Sequence, residues 1–242
     1  MIKLWKKGKS LFRKVRRKLF SVDGNVMFSI GENCLADDIL ARNKLKSFSS
    51  PYASGRSNIE YVLAFEKEQF ADFVNPEYLN YEYFGNRKVV RNKKYTDVVN
   101  AYDPSVTNGF EFTHHDVFDE ETRKTMERRC QRLLDLKHKN VIMLYHHRLC
   151  DDTDTERLLS DISELTEIYR KRGNRVKAFV FTQVLVPDEK DRKAEVKKIR
   201  NIRFYRFYTL KTWSGDDPDL LWAKCDNDLL ATIVKDIRKS LV

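Results

Sequence analysis

The chain is poor in the residues that mark several protein classes. It has 4 Cys, 8 Gly and 5 Pro in 242 residues. The low Gly and Pro exclude collagen-like and low-complexity chains. Four cysteines with no CxxC pair exclude a disulfide scaffold and a zinc ribbon. No apolar run reaches the ~18 residues that span a bilayer. The opening MIKLWKKGKS lacks a continuous apolar h-region, so it does not read as a secretory signal. These absences point to a reducing cytosol. What is present, 41% hydrophobic and 12% aromatic residues, is enough for a folded core in one domain.

Charge is concentrated at one end. Of 46 Lys and Arg, nine lie in residues 1–20, which hold no acid, so residues 21–242 carry 37 against 36 Asp and Glu. The net charge of +10 is therefore a property of the first segment. This argues against nucleic acid as the partner, although a local basic patch on the body stays open. On a helical wheel, Leu4, Trp5, Gly8, Leu11, Phe12, Val15 and Leu19 fall in an arc of roughly 120°. The cations, among them Lys3, Lys6, Lys7, Arg13, Arg16 and Arg17, occupy the rest. A basic amphipathic helix with Trp and Phe on its apolar face is suited to lie in an anionic membrane surface. The alternatives are a solvated arm or a helix docked on its own domain. The expected organisation is a membrane-surface helix over 1–20 and one domain over 21–242. The expected location is cytoplasmic, peripheral on the inner face of the membrane.

Beyond the turn-rich residues 21–25, apolar runs at 26–30, 140–145 and 176–184 read as buried strands. Residues 35–40, 59–74, 121–136, 155–172 and 220–237 read as helices. Gly173 follows the fourth of these as a good C′ residue. Residues 189–198 read as a charged helix and 202–208 as a more exposed strand. Residues 44–58 read as a loop. Phe110-Glu111-Phe112 reads as a further strand, and 81–90 as a hairpin in an otherwise unassigned stretch. Alternating strands and helices predict an α/β fold: three layers, a mostly parallel sheet with helices on both faces.

Ligand crevices in such sheets lie at the carboxyl ends of the strands. After the first strand come Gly31, Glu32, Asn33 and Cys34. Cys34 falls in the first turn of a predicted helix, where free N–H groups and the helix dipole favour a thiolate. Backbone N–H groups around Gly31 and Asn33 are candidates for an oxyanion hole. The plainer reading of Cys34 is a small core residue. A nucleophilic thiol needs a base. His115 is the first candidate, with His114, His146 and His147 as alternatives. Asp116 is grouped with His115 as its acid, although a carboxylate in the next residue does not easily reach the ring. Asp151, Asp152 and Asp216 are other sources of an orienting acid. No histidine or cysteine pair has ligand spacing, so no metal site is expected. No nucleotide-binding glycine loop is present, and no cofactor is expected, although acyl-CoA would fit as a donor.

Several stretches resemble a bacterial family of papain-like cysteine peptidases. Residues 28–40, FSIGENCLADDIL, are similar to its opening strand–Gly–x–x–Cys–helix motif. Phe48-Ser49-Ser50-Pro51-Tyr52, His115-Asp116-Val117-Phe118 and Trp213-Ser214-Gly215-Asp216-Asp217 resemble three further segments in the same order. The resemblance implies Cys34 as nucleophile and His115 as base. The chain departs from the pattern after Pro51, where Tyr52-Ala53-Ser54 replaces the family's Phe-Asp-Trp. The opening is also similar to Cys-dependent capsule polysaccharide acetyltransferases and to SGNH-type hydrolases. Those comparisons suit an α/β sheet better than papain's helical lobe facing a β-barrel lobe. They imply a cysteine-nucleophile hydrolase or acyltransferase in surface polysaccharide biosynthesis, with a sugar acceptor or polysaccharide-assembly proteins as partners. The alternatives are a non-catalytic membrane-associated binding or scaffold protein, or a glycosyltransferase, for which Asp152-Thr153-Asp154 is a DxD match at a helix start.

Overall fold

The computed structural model describes residues 24–84, 87–96, 98, 108–151 and 153–241. Segment 1–20, with Lys3, Trp5, Lys6, Lys7, Phe12, Arg13, Arg16 and Arg17, lies outside the described residues.

A five-stranded sheet forms the centre. In chain order its strands are β1 (Asn25–Ser29), β5 (Asn140–His146), β6 (Arg175–Leu185), β7 (Lys193–Ile199) and β8 (Ile202–Thr209). Their spatial order is β1-β5-β6-β8-β7. All pairs are parallel except the edge pair β7–β8. A second, antiparallel sheet joins β2 (Leu79–Phe84), β3 (Arg87–Asn92) and β4 (Phe110–Phe112).

Alternate residues of the central strands enter two separate cores, as the two-residue period of a strand requires. Val141, Met143 and Tyr145 face one core; Ile142 and Leu144 face the other. On the first side lie α2 (Ile59–Lys67), α3 (Glu120–Leu134) and α4 (Thr155–Lys171). On the second lie α1 (Leu35–Arg42) and α5 (Asn227–Arg238). The small sheet joins the first core through edge-to-face packing of Phe65, Phe73, Phe110 and Phe112. Side-chain caps set the starts of three helices: Asn58, Asp119 and Asp154 accept the N–H groups of Tyr61, Thr122 and Arg157. Asp154 is thus a helix cap. Gly173, at φ +85°, follows the end of α4, where the left-handed conformation suits glycine.

Five expectations need correction. Residues 189–198 are not a helix: a 3-10 turn at Glu189–Asp191 leads into β7. The strand 202–208 is not the more exposed one expected: it lies between β6 and β7, with Phe204, Tyr205 and Phe207 buried. The second helix stops at Lys67, and the last begins at Asn227 after a single turn at Pro218–Leu221. Finally, β4 belongs to the small sheet, so His114, His115 and Asp116 do not follow a strand of the central one.

Candidate active site

The chain crosses from β1 to α1 at the carboxyl edge of the sheet. The crossing is tied to the end of β5: Ile30 N–H donates to Leu144 O (3.0 Å), and Glu32 N–H to His146 O (3.2 Å). Gly31 permits this close path. Its φ is +103°, and a Cβ there would meet Ser57 Oγ at 2.4 Å. Cys34 is the N-cap residue of α1, half-buried, with no capping bond from its side chain. Asn33 Oδ1 instead accepts Leu35 N–H at 3.0 Å.

Burial pushes the Cys34 thiol above its ordinary value, and Asp37 in the first turn adds to the rise. Arg56 and the backbone N–H of Cys34 itself act in the opposite direction. The helix start does not win here, because burial of the sulfur outweighs it and a carboxylate in the same turn adds to the rise. Asp37 is itself held by Lys46 (2.6 Å) and Ser29 Oγ (3.1 Å).

Residues 54–57 link this loop to His115. Ser57 N–H donates to Glu32 O at 2.9 Å. Arg56 exchanges two backbone bonds of 2.9 Å with Glu111 in β4. Ser54 Oγ lies 2.8 Å from His115 Nε2. Arg129 of α3 brings Nη1 to 3.4 Å from the same nitrogen. Burial, then Arg129 and His114, lower the pKa of His115 to about 4. Glu111 is itself buried and pairs with the buried Arg91 at 2.5 Å and with the exposed Arg87 at 3.1 Å.

The other candidates lie as follows. His114 is exposed. The carboxylate of Asp116 turns to Tyr81 OH (3.1 and 3.2 Å) and Phe118 N–H (3.1 Å), away from the His115 ring. His146 and His147 are buried at the end of β5. His146 stacks on Phe181 and brings Nδ1 to 3.4 Å from Asn33 Oδ1. His147 Nδ1 lies 3.4 Å from Tyr145 OH and 4.0 Å from Glu32 Oε2. Burial lowers the pKa of both rings, that of His147 to about 4, and raises that of Glu32. All three therefore favour the neutral form. Glu32 Oε2 accepts Arg148 N–H at 2.6 Å. Glu32 Oε1, Ser57 Oγ, His146 Nε2 and His147 Nε2 have no hydrogen-bond partner among the described residues. Trp213 closes this end against His146 and Phe181, its indole N–H on Asp226 at 2.8 Å. Asp216 is exposed.

Two groups of residues thus surround the Cys34 loop. One is the neutral cluster Glu32, His146 and His147. The other is the polar strip Ser54, Arg56, His115 and Arg129. Sequence reasoning did not single out Ser54, Arg56, Ser57 or Arg129 as site residues. The signal for Ser54 was the departure from the family pattern after Pro51.

The profile of the family described as "putative papain-like cysteine peptidase" (DUF1796) matches residues 25–188. The chain belongs to this family. The match runs from β1 to just beyond β6 and so includes Cys34, His115, His146 and His147. No curated protein and no solved structure matches the chain. The architecture of this family member is a mostly parallel α/β sheet.

Proposed function

We propose that the protein is a cysteine-nucleophile hydrolase or acyltransferase, with Cys34 as nucleophile and His115 as base. It works at the cytoplasmic membrane surface, on an acyl donor such as acyl-CoA and, in the transfer mode, a sugar hydroxyl in surface polysaccharide biosynthesis. The observation that carries the reading is a half-buried cysteine at the N-cap of α1, at the carboxyl edge of a parallel sheet. Family membership supports hydrolase chemistry.

The chemistry follows from the protonation states. The resting pair is a thiol and a neutral imidazole, not a thiolate and an imidazolium. The thiol therefore loses its proton as it attacks. Sulfur bonds to the acyl carbon, the proton passes to His115 Nε2, and the oxyanion meets backbone N–H groups of the loop around Asn33. The leaving group departs with the proton from His115 and leaves a thioester on Cys34. Water or a sugar hydroxyl then attacks the thioester while His115 takes its proton, and the thiol is regenerated. Ser54 now shares His115 Nε2, so substrate entry has to shift that hydroxyl.

The test is mass-trapping with acyl-CoA and activated-ester probes. Wild-type protein should gain one acyl group on Cys34, and His115→Ala should gain it much more slowly. Absence of any Cys34 adduct with every probe would favour the non-catalytic binding reading.

A further inference from the structure

The charges around Cys34 and His115 do not cancel. Asp37 and Glu111, whose charges reach the Cys34 sulfur, are already engaged. Asp37 is held by Lys46 at 2.6 Å. Glu111 receives Arg91, Arg87 and Thr113 Oγ1, at 2.5, 3.1 and 2.8 Å. Arg56 reaches Glu111 only with Nε, at 3.8 Å, and its side chain is 35% exposed. Arg129 has no carboxylate within ion-pair distance among the described residues. Its Nη1 lies 3.4 Å from His115 Nε2 and 3.9 Å from Met126 Sδ. The first is a long contact to a nitrogen that Ser54 Oγ already meets at 2.8 Å. The second is to a weak acceptor.

A guanidinium taken partly out of water is costly unless an anion pairs with it. Arg129 is half-buried, and burial works against its charge. Holding His115 neutral is one consequence of Arg129, but it does not account for Arg56, which acts on Cys34. The two guanidiniums come from different parts of the chain, the link 54–57 and α3. One stands on the side of the sulfur and the other on the side of the imidazole. A guanidinium fork matches two oxygens of a carboxylate or a phosphate.

We propose that Arg56 and Arg129 form an anion subsite beside Cys34 and His115, so that the substrate carries a carboxylate or a phosphate close to its acyl carbon. The inference rests on the proposed function for the reacting pair and narrows its substrate class. It also couples binding to chemistry. An anion on Arg129 offsets the charge that disfavours protonation of His115, so the base strengthens as a charged substrate enters. A neutral acyl donor brings no such gain.

The first experiment compares alkylation of Cys34 in the full chain by iodoacetate, which carries a carboxylate, and by neutral iodoacetamide. The rates are followed by mass at low salt and pH 8. Their ratio is read, because the thiolate fraction cancels in it. The ratio should exceed that of free cysteine by roughly fivefold or more. Arg56→Gln and Arg129→Gln should each lower it, and the double variant should bring it to the free value. Lys239→Gln, beyond the end of α5, removes the same charge and should leave it unchanged. A wild-type ratio equal to that of free cysteine would overturn the subsite, as would a raised ratio that neither arginine variant moves. The second experiment does not depend on the thiol. Inorganic phosphate and acetate are titrated at pH 7 and matched ionic strength while proton NMR follows the His115 ring. The anion that shifts its signal at the lower concentration names the group, and Arg129→Gln should abolish the shift. No shift with either anion would overturn the subsite. A raised ratio in a protein that forms no acyl adduct on Cys34 would keep the subsite and reject the proposed catalysis.

Discussion

Ser54 Oγ and Arg129 Nη1 both approach His115 Nε2, at 2.8 and 3.4 Å. A guanidinium can only donate, so Nε2 is the acceptor and the ring proton resides on Nδ1. Burial and the nearby positive charge hold that ring neutral. A neutral imidazole can take a proton, but it gives the thiol no cationic partner. The rate of Cys34 alkylation by iodoacetamide should therefore still be rising beyond pH 9, above the ordinary thiol range. A plateau below pH 7 would show a thiolate already formed at rest.

The charge of Arg129 is the second cause of the depressed His115 pKa, after burial. Arg129→Gln should move the His115 midpoint up from about 4 by roughly one pH unit, while His147, shifted by burial alone, stays near 4. Imidazole proton NMR reads both midpoints in one titration. An unmoved His115 midpoint would mean that burial alone sets it.

The central sheet was legible because its inner strands are continuous apolar runs, as strands buried on both faces must be. The edge strand β7 was not. Both of its faces are largely exposed, so Lys193, Glu195, Lys197 and Lys198 leave no apolar period to read. Such charges suit an edge, because they discourage pairing with another chain. The position of Cys34 at a helix start was legible from its glycine turn and the helix that follows. The partners of His115 were not, because Ser54 and Arg129 lie 61 and 14 residues away from it and meet it only through the fold. The rise in the Cys34 pKa was equally hidden, since it depends on burial and on the direction Asp37 faces.

Glu66 should govern part of the pH dependence of stability. It is buried in α2, bonded by Tyr169 OH at 2.5 Å and 3.5 Å from Arg172, and burial lifts its pKa from 4.5 to about 7. A carboxyl raised in the folded state favours folding most below its unfolded value. That contribution is lost as pH rises from 4.5 through 7. Its size is about 3 kcal/mol at ~1.4 kcal/mol per unit. Glu66→Gln should flatten the stability profile in this window, measured by urea unfolding at a series of pH values. An unchanged slope between pH 5 and 7 would place the charge cost elsewhere.

Cys34→Ala separates a nucleophile from a core residue. The side chain is half-buried and makes no capping bond, so its loss removes one sulfur from a partly solvated position. The cost should stay under about 1 kcal/mol, against the 2–5 kcal/mol of large truncations in a closed core. Acyl transfer, if Cys34 carries the thioester, should fall by roughly a thousandfold or more, because no other group can take over the covalent step. Cys34→Ser is the sharper companion: it keeps the size of the side chain but replaces the thiol with a hydroxyl that ionises far less readily. Unfolding midpoints and single-turnover acylation should be measured on the same samples. Full stability with no acylation identifies the nucleophile. A large drop in the midpoint of Cys34→Ala, with activity in proportion to the folded fraction, would return Cys34 to the core beneath α1.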